Sequence, residues 1–392
     1  MIDESSSAER KPVYLDHHAT TPVDPRVLQA MMPYFSQMFG NAASTDHLYG
    51  NEAAQAVDEA RAKVAELIGA QPQEIVSTSG ATESDNLAIL GVAERHVSNG
   101  KHVITCSTEH KAVLDTCKNL ESRGFRITYL PVDRYGMVDL NRIESAIGSD
   151  TILISIMAAN NEIGTIAPLK EIGRIAKRHD VLFHTDAAQA FGHIPLDVDE
   201  MGIDLLSISG HKVYGPKGIG ALYVRRLKPR VKLTPQMHGG GHERGMRSGT
   251  LNVPGIVGLG EAADIARREM ADESTRVREL RDYLWRELQA RIPGIELNGH
   301  PEQRLPHNLN VYIPGVQNRA LLVQLKHVVA LSTGSACTST DVEPSHVILA
   351  LGYDEARAHS SVRFGLGRSV KLRSELPIDA IADAVARLRC MT

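Results

Sequence analysis

The chain has 392 residues, 42% of them hydrophobic, and a formal net charge of −4 at pH 7, so it can bury a large core and is expected to form two domains. That charge gives no basic footprint for nucleic-acid phosphates, and direct nucleic-acid binding is not expected. Cys106, Cys117, Cys337 and Cys390 are widely spaced with no C-x-x-C pair, which argues against a disulfide framework and for a reducing cytoplasm.

The opening residues, MIDESSSAERK, are acidic and serine-rich where a signal peptide needs an apolar stretch, and no later run approaches the length of a membrane span. A loose N-terminal tail on a soluble protein with no membrane contact is the expectation. From about residue 24 to 225, helical and β-rich patterns alternate, the pattern of an α/β domain built on a mostly parallel sheet. Asp24-Pro25 caps and starts one helix, and Ala53, Ala56, Val57, Ala60, Val64, Leu67 and Ile68 trace another up to Gly69. Strands are expected at His102 to Thr105, Thr151 to Met157, Val181 to His184, Asp204 to Ile208 and Gly220 to Val224. Polar residues cluster just after these runs, where open α/β sheets place their ligands.

At about residue 262 the composition shifts into a long charged helix with Val277, Leu280, Leu284 and Leu288 on one face, and Pro377 opens a last helix carrying Ile378, Ile381, Val385 and Leu388. The expected division is a large domain over 20–262 and a smaller α+β domain made from 1–19 with 263–392.

Several of these post-strand stretches carry chemistry. In Ser207-Ile208-Ser209-Gly210-His211-Lys212 a strand end turns into the glycine-rich stretch Tyr214 to Gly218, where a lysine can form a Schiff base with an aldehyde cofactor. Asp186, in His184-Thr185-Asp186-Ala187-Ala188-Gln189, places a carboxylate where it could hold a proton on a ring nitrogen, although alone it reads equally as a helix cap. Thr78-Ser79-Gly80-Ala81-Thr82-Glu83-Ser84 leads into a helix whose free N–H groups and dipole suit a phosphate, and capping alone explains the hydroxyls as well. Glu109-His110 and Asn160-Asn161-Glu162 follow two further strands and supply an imidazole that can stack on a ring and an amide that can bond a phenolic oxygen or a carboxylate. Leu331 to Thr340 is a run of small and polar residues around Cys337, the composition of an exposed, mobile loop whose thiol can reach a substrate and then a partner. Arg363, in Ser361-Val362-Arg363-Phe364-Gly365, suits an α-carboxylate.

Taken with Leu15-Asp16-His17-His18-Ala19-Thr20-Thr21-Pro22, these stretches closely resemble the cysteine desulfurases, class V aminotransferase-like enzymes that use pyridoxal 5'-phosphate (PLP), and above all their housekeeping iron–sulfur-cluster branch. The resemblance runs from about Val13 to near residue 390. It implies the aspartate-aminotransferase-like fold (fold type I), PLP joined to Lys212, Asp186 at the pyridine nitrogen, Asn161 and Gln189 on the phenolic oxygen side and His110 on the ring. Ala81, Thr82, Ser209 and His211 would hold the phosphate. Thr250, in the loop His238 to Thr250, would reach it from the second subunit of a homodimer.

The implied substrate is L-cysteine, bound through Asn161 and Arg363 and converted to L-alanine while Cys337 takes the sulfur as a persulfide. The sulfur would pass to an iron–sulfur scaffold or a tRNA-thiolation protein. No resident metal is implied, Cys337 being at most a transient iron–sulfur ligand. The competing readings are a sulfur donor for DNA phosphorothioation and a selenocysteine or cysteine-sulfinate lyase.

Overall fold

The computed structural model describes residues 11–334 and 343–391. Its centre is a seven-stranded sheet of β2 (Ile75–Thr78), β3 (His102–Cys106), β4 (Arg126–Leu130), β5 (Thr151–Ser155), β6 (Leu182–Asp186), β7 (Leu205–Ser209) and β8 (Gly220–Val224), after a short β1 (Val13–Tyr14) that pairs elsewhere. The order across the sheet is β2-β8-β7-β6-β5-β3-β4, and β8 alone runs against its neighbours. Successive residues of these strands serve opposite faces: Val103, Leu153 and Leu205 pack into one apolar cluster, while Ile104, Ile154 and Leu206 pack into the other. Helices cover both faces, as the alternating pattern of the sequence predicts, and the chain is α/β.

The expected strands are present with ends moved by a residue or two. β5 stops at Ser155, and β6 extends to include Asp186 as its last residue. Asp24 caps the helix Pro25–Met31 by accepting the Arg26 N–H at 2.9 Å, and Ala53 to Leu67 lie in the helix Leu48–Leu67. The composition shift near 262 falls inside one continuous helix, Val253–Arg291. Its first half packs on the sheet through Ile256, Leu259 and Ala263, and its second half enters a separate core through Val277, Leu280, Leu284 and Leu288. The helix touches Leu48–Leu67 so closely that a Cβ on Gly260 would lie 2.6 Å from the Ala60 Cα, a contact between backbones that only glycine permits.

The second core also contains Leu15 and the helix Ile378–Arg389, and it packs on a three-stranded antiparallel sheet of β9 (Glu296–Leu297), β10 (Asn308–Tyr312) and β12 (Ser361–Gly365). β1 runs parallel to β11 (Val329–Ala330), and the residues after it bond to β12, with the Gly365 N–H donating to the Leu15 carbonyl at 2.7 Å. The chain's first strand is thereby stitched to its last third. No described helix is long and apolar enough to cross a membrane.

Candidate active site

Five of the strands end at one edge of the large sheet, and the loops leaving them line a single cleft of about 1500 Å3. β2 leads to Ser79, Gly80, Ala81 and Thr82; β3 to His110; β5 to Asn161 and Glu162; β6 ends in Asp186 and leads to Gln189; β7 ends in Ser209 and leads to His211 and Lys212. Arg363 from β12, Asp16 and His18 from beyond β1, and Ser332 to Gly334 beyond β11 close the opposite wall.

Lys212 lies at the centre. Its Nζ donates to the backbone carbonyls of His18 and of Ala19, the latter at 2.9 Å. Burial, and then the positive Arg363, bring its ammonium down to about 8, against the pull of Asp16 and Asp186. At pH 7 roughly one molecule in ten then carries the neutral, nucleophilic amine, against fewer than about one in a thousand for an exposed lysine. The rate at which Lys212 forms an imine with a small aldehyde is therefore expected to rise with pH through about 8 and level off above it. Arg363→Leu should move that rise to higher pH, and a wild-type rise still climbing at pH 10 would contradict the assignment.

Asp186 accepts the Ala188 N–H on Oδ1 at 2.8 Å, which closes a turn and not the helix start expected for a lone aspartate, since no helix lies between β6 and β7, and the residue lines the cleft. Burial raises its carboxyl, while the Ala188 N–H, His110 and Lys212 draw it down. Behind it Asp85 is fully buried, with His184 Nε2 at 3.6 Å, and burial and the Asp186 charge hold its carboxyl well above the usual range against the pull of Ser207. Burial thus favours the neutral carboxyl more strongly at Asp85 than at Asp186, which His110 and Lys212 draw down. His184, pushed down to about 3 by burial, is a neutral bridge between Ser155 Oγ at 2.8 Å and Ser207 Oγ at 3.0 Å.

The helix Ala81–Arg95 starts after Gly80 with no side-chain cap, so its first N–H groups are open to a ligand in the cleft. His211 is brought down to about 4 by burial and then by Lys212 and Lys217, and its Nδ1 lies 3.2 Å from Thr20 Oγ1, which leaves Nε2 for a ligand in the cleft. His110 accepts the Ala112 N–H on Nδ1 at 3.2 Å and caps Lys111–Ser122, which fixes its ring at the cleft wall. Gln189 is held by the neutral His18: its Oε1 lies 2.8 Å from His18 Nδ1 and its Nε2 donates to the His18 carbonyl at 3.0 Å.

Arg363 is buried and engaged with protein groups. Its Nη2 donates to Asp16 Oδ1 at 2.9 Å and its Nη1 to the Asn161 carbonyl at 2.8 Å, while Nε has no partner among the described residues. Sequence patterns give Asp16 and His18 no role, since Asp16 and Arg363 stand 347 positions apart and leave no local signal.

Of the residues expected at the site, Ala81, Thr82, His110, Asn161, Asp186, Gln189, Ser209, His211, Lys212 and Arg363 meet in this cleft. Thr250 does not line it and is exposed. Cys337 lies outside the described residues; Gly334 and Glu343 on either side of its stretch both line the cleft. An amine, a carboxylate behind it, a flat imidazole and an uncapped helix start together match the aldehyde, ring nitrogen, ring face and phosphate of PLP.

The model of the Aminotransferase class-V family matches residues 13–373. A cysteine desulfurase IscS from Anaeromyxobacter dehalogenans (strain 2CP-C) is 54% identical over 382 residues, covering 97% of this chain and 94% of that protein. Among solved structures, a NifS-like protein superposes with a TM-score of 0.88 at 38% identity, over 97% of this chain and all of its own. A structure described as SspA in complex with cysteine gives 0.80 at 41% identity, over 91% and 99%. The fold is that of these PLP-dependent enzymes, fold type I.

Proposed function

Because the chain belongs to the cysteine desulfurases of the class-V aminotransferase family, we propose that it converts L-cysteine to L-alanine and passes the sulfur, as a persulfide on Cys337, to acceptor proteins of iron–sulfur cluster assembly or tRNA thiolation. The observation that carries this reading is Lys212, an amine brought down to about 8 by burial and by Arg363, in one cleft with Asp186 and the uncapped helix start at Ala81.

PLP, held by Lys212, Asp186, His110, Gln189, Ser209, His211 and the Ala81 and Thr82 N–H groups, would supply an electron sink for the carbanion at the substrate Cα. Arg363 and Asn161 orient the substrate carboxylate. Lys212 Nζ takes the Cα proton and later returns one to carbon. The Cys337 thiolate attacks the substrate sulfur, forming a sulfur–sulfur bond as the Cβ–sulfur bond breaks with its electron pair left on carbon. Two protons from the enzyme and solvent complete alanine, so cysteine and one thiol become alanine and one persulfide with no outside oxidant.

The chain is proposed to act as a cytoplasmic homodimer. Leu28, Met32, Phe35, Phe39, Leu48 and Tyr49, near together in sequence, are each more than half exposed or close to it, a liability for a monomer. Thr250, exposed and off its own cleft, is placed by the same proposal at the partner's site. The division into 20–262 and 1–19 with 263–392 belongs to the proposal too, supported by the two cores and by Leu15 lying in the second, with Ala263, Ile265 and Ala266 of the crossing helix still in the first. DNA phosphorothioation and selenocysteine or cysteine-sulfinate cleavage are not favoured, since nothing in the cleft calls for them and the curated relative is described as a cysteine desulfurase.

A direct test isolates the two-chain species by size exclusion, loads it with PLP and supplies L-cysteine. Equal amounts of L-alanine and protein-bound persulfide are expected; a one-chain species, or alanine with no bound sulfur, would count against the proposal.

A further inference from the structure

Gln189 and Lys212 meet on one oxygen. The backbone carbonyl of His18 accepts from Lys212 Nζ and, at 3.0 Å, from Gln189 Nε2, so the two nitrogens stand side by side at the cleft. On the ring of PLP, the carbon that carries the aldehyde has the phenolic oxygen on one neighbour and the phosphate arm on the other. With the aldehyde at Lys212 and the phosphate at the Ala81 helix start, the phenolic oxygen falls beside Lys212 Nζ, on the side of Gln189 Nε2. An amide N–H there draws charge from that oxygen, whereas the amide oxygen would repel it.

Which end of the amide is presented follows from a chain of hydrogen bonds with one possible direction. Arg304 has only donors, and its Nη2 donates to Asn308 Oδ1 at 3.0 Å, while Asn308 Nδ2 donates to the Glu162 carbonyl at 3.1 Å. The asparagine is thereby fixed with its nitrogen 3.1 Å from His18 Nε2, which accepts. His18 is 1% exposed, and burial and then Arg363, with His193 and Lys212 adding to them, keep its ring from taking a second proton. Its one N–H is therefore on Nδ1, 2.8 Å from Gln189 Oε1. With Oε1 taken and one Nε2 hydrogen given to the His18 carbonyl, the other Nε2 hydrogen is left for the cleft. Turning the amide over would set donor against donor and acceptor against acceptor. The plane of the His18 ring is held as well: His307 stacks on it with centroids 4.3 Å apart, and His193 stacks on His307 at 4.2 Å and bonds the Lys212 carbonyl through Nε2 at 2.9 Å.

We infer, resting on PLP as the group that the cleft holds, that His18 is a positioning residue: through one fixed tautomer it holds Gln189 with an N–H toward the phenolic oxygen beside Lys212. Such a donor favours that oxygen as a free anion, so the proton shared between it and Lys212 Nζ leaves at a lower pH than it otherwise would.

The PLP-loaded protein tests this in His18→Phe and His18→Asn, read by the pH midpoint of the bound cofactor's colour change and by the melting temperature. Phenylalanine keeps a ring against His307 and loses the donor. Asparagine loses the stacked ring, but its amide nitrogen can stand where Nδ1 stands and donate. His18→Phe is expected to raise the midpoint by at least about half a unit, since a hydrogen bond to a charged oxygen is worth roughly one to two units. His18→Asn should keep the wild-type midpoint even where it melts lower. A midpoint unmoved in His18→Phe, or moved equally in both variants, overturns the inference and leaves the imidazole a packing group. Should His18→Phe fail to fold, His18→Leu, which also lacks a donor, must show the raised midpoint or the inference falls. A wild type that stays colourless with PLP removes the proposed function and this role with it; a coloured wild type matched by His18→Phe removes only the role given to His18.

Discussion

Lys212→Ala is expected to abolish the visible absorbance of the PLP-loaded protein and to lower alanine formation on the order of ten-thousandfold. The reason is geometric as well as chemical. Lys212 is the amine of the cleft brought down to about 8, and among the described residues its Nζ bonds only to the carbonyls of His18 and Ala19, so its loss leaves the core untouched. A melting temperature close to wild type should accompany the loss. Lys217 and Lys111 also line the cleft, and a variant that kept its yellow colour through one of them would show that the amine had been misassigned.

Cys337→Ser separates the two halves of the chemistry. Every group proposed to hold PLP is present without it, so the variant should keep the absorbance and its response to added cysteine. Serine cannot form the sulfur–sulfur bond, and alanine production should fall below about one per cent of wild type, with no persulfide detectable. Full alanine production would mean that free thiols or another residue take the sulfur. Cys106 and Cys117 are poor substitutes: both are buried, and burial lifts their thiols to about 11 and about 12.

Much of this architecture was legible in residue patterns because it is local. Strands such as Thr151 to Ser155 or Leu205 to Ser209 are short apolar runs bounded by turn residues, and the polar stretches after them fell at the sheet's carboxyl edge as the rule for open α/β sheets requires. The small sheet was not read. In β10, Asn308, Leu309, Asn310 and Val311 alternate as a half-exposed strand would, yet both asparagines are buried because they bond the turn at Glu162. Nor did composition place the start of Val253–Arg291, since its Gly258 and Gly260 lower the helical signal in the half that lies closest to its neighbours. The Asp16–Arg363 pair and the contact of Glu162 with Ser345 are long-range, and no spacing rule reaches them.

The pairing of β1 with β11, and of the residues after β1 with β12, also has a bearing on biosynthesis. On the ribosome Val13 emerges more than three hundred residues ahead of Val329, so the leading strand must wait unpaired until translation is nearly finished. Lys212 depends on the carbonyls of His18 and Ala19, which that strand delivers, and Arg363 comes later still. A nascent chain therefore has its large sheet long before it has a competent centre, and reactive sulfur chemistry is withheld until the polypeptide is whole.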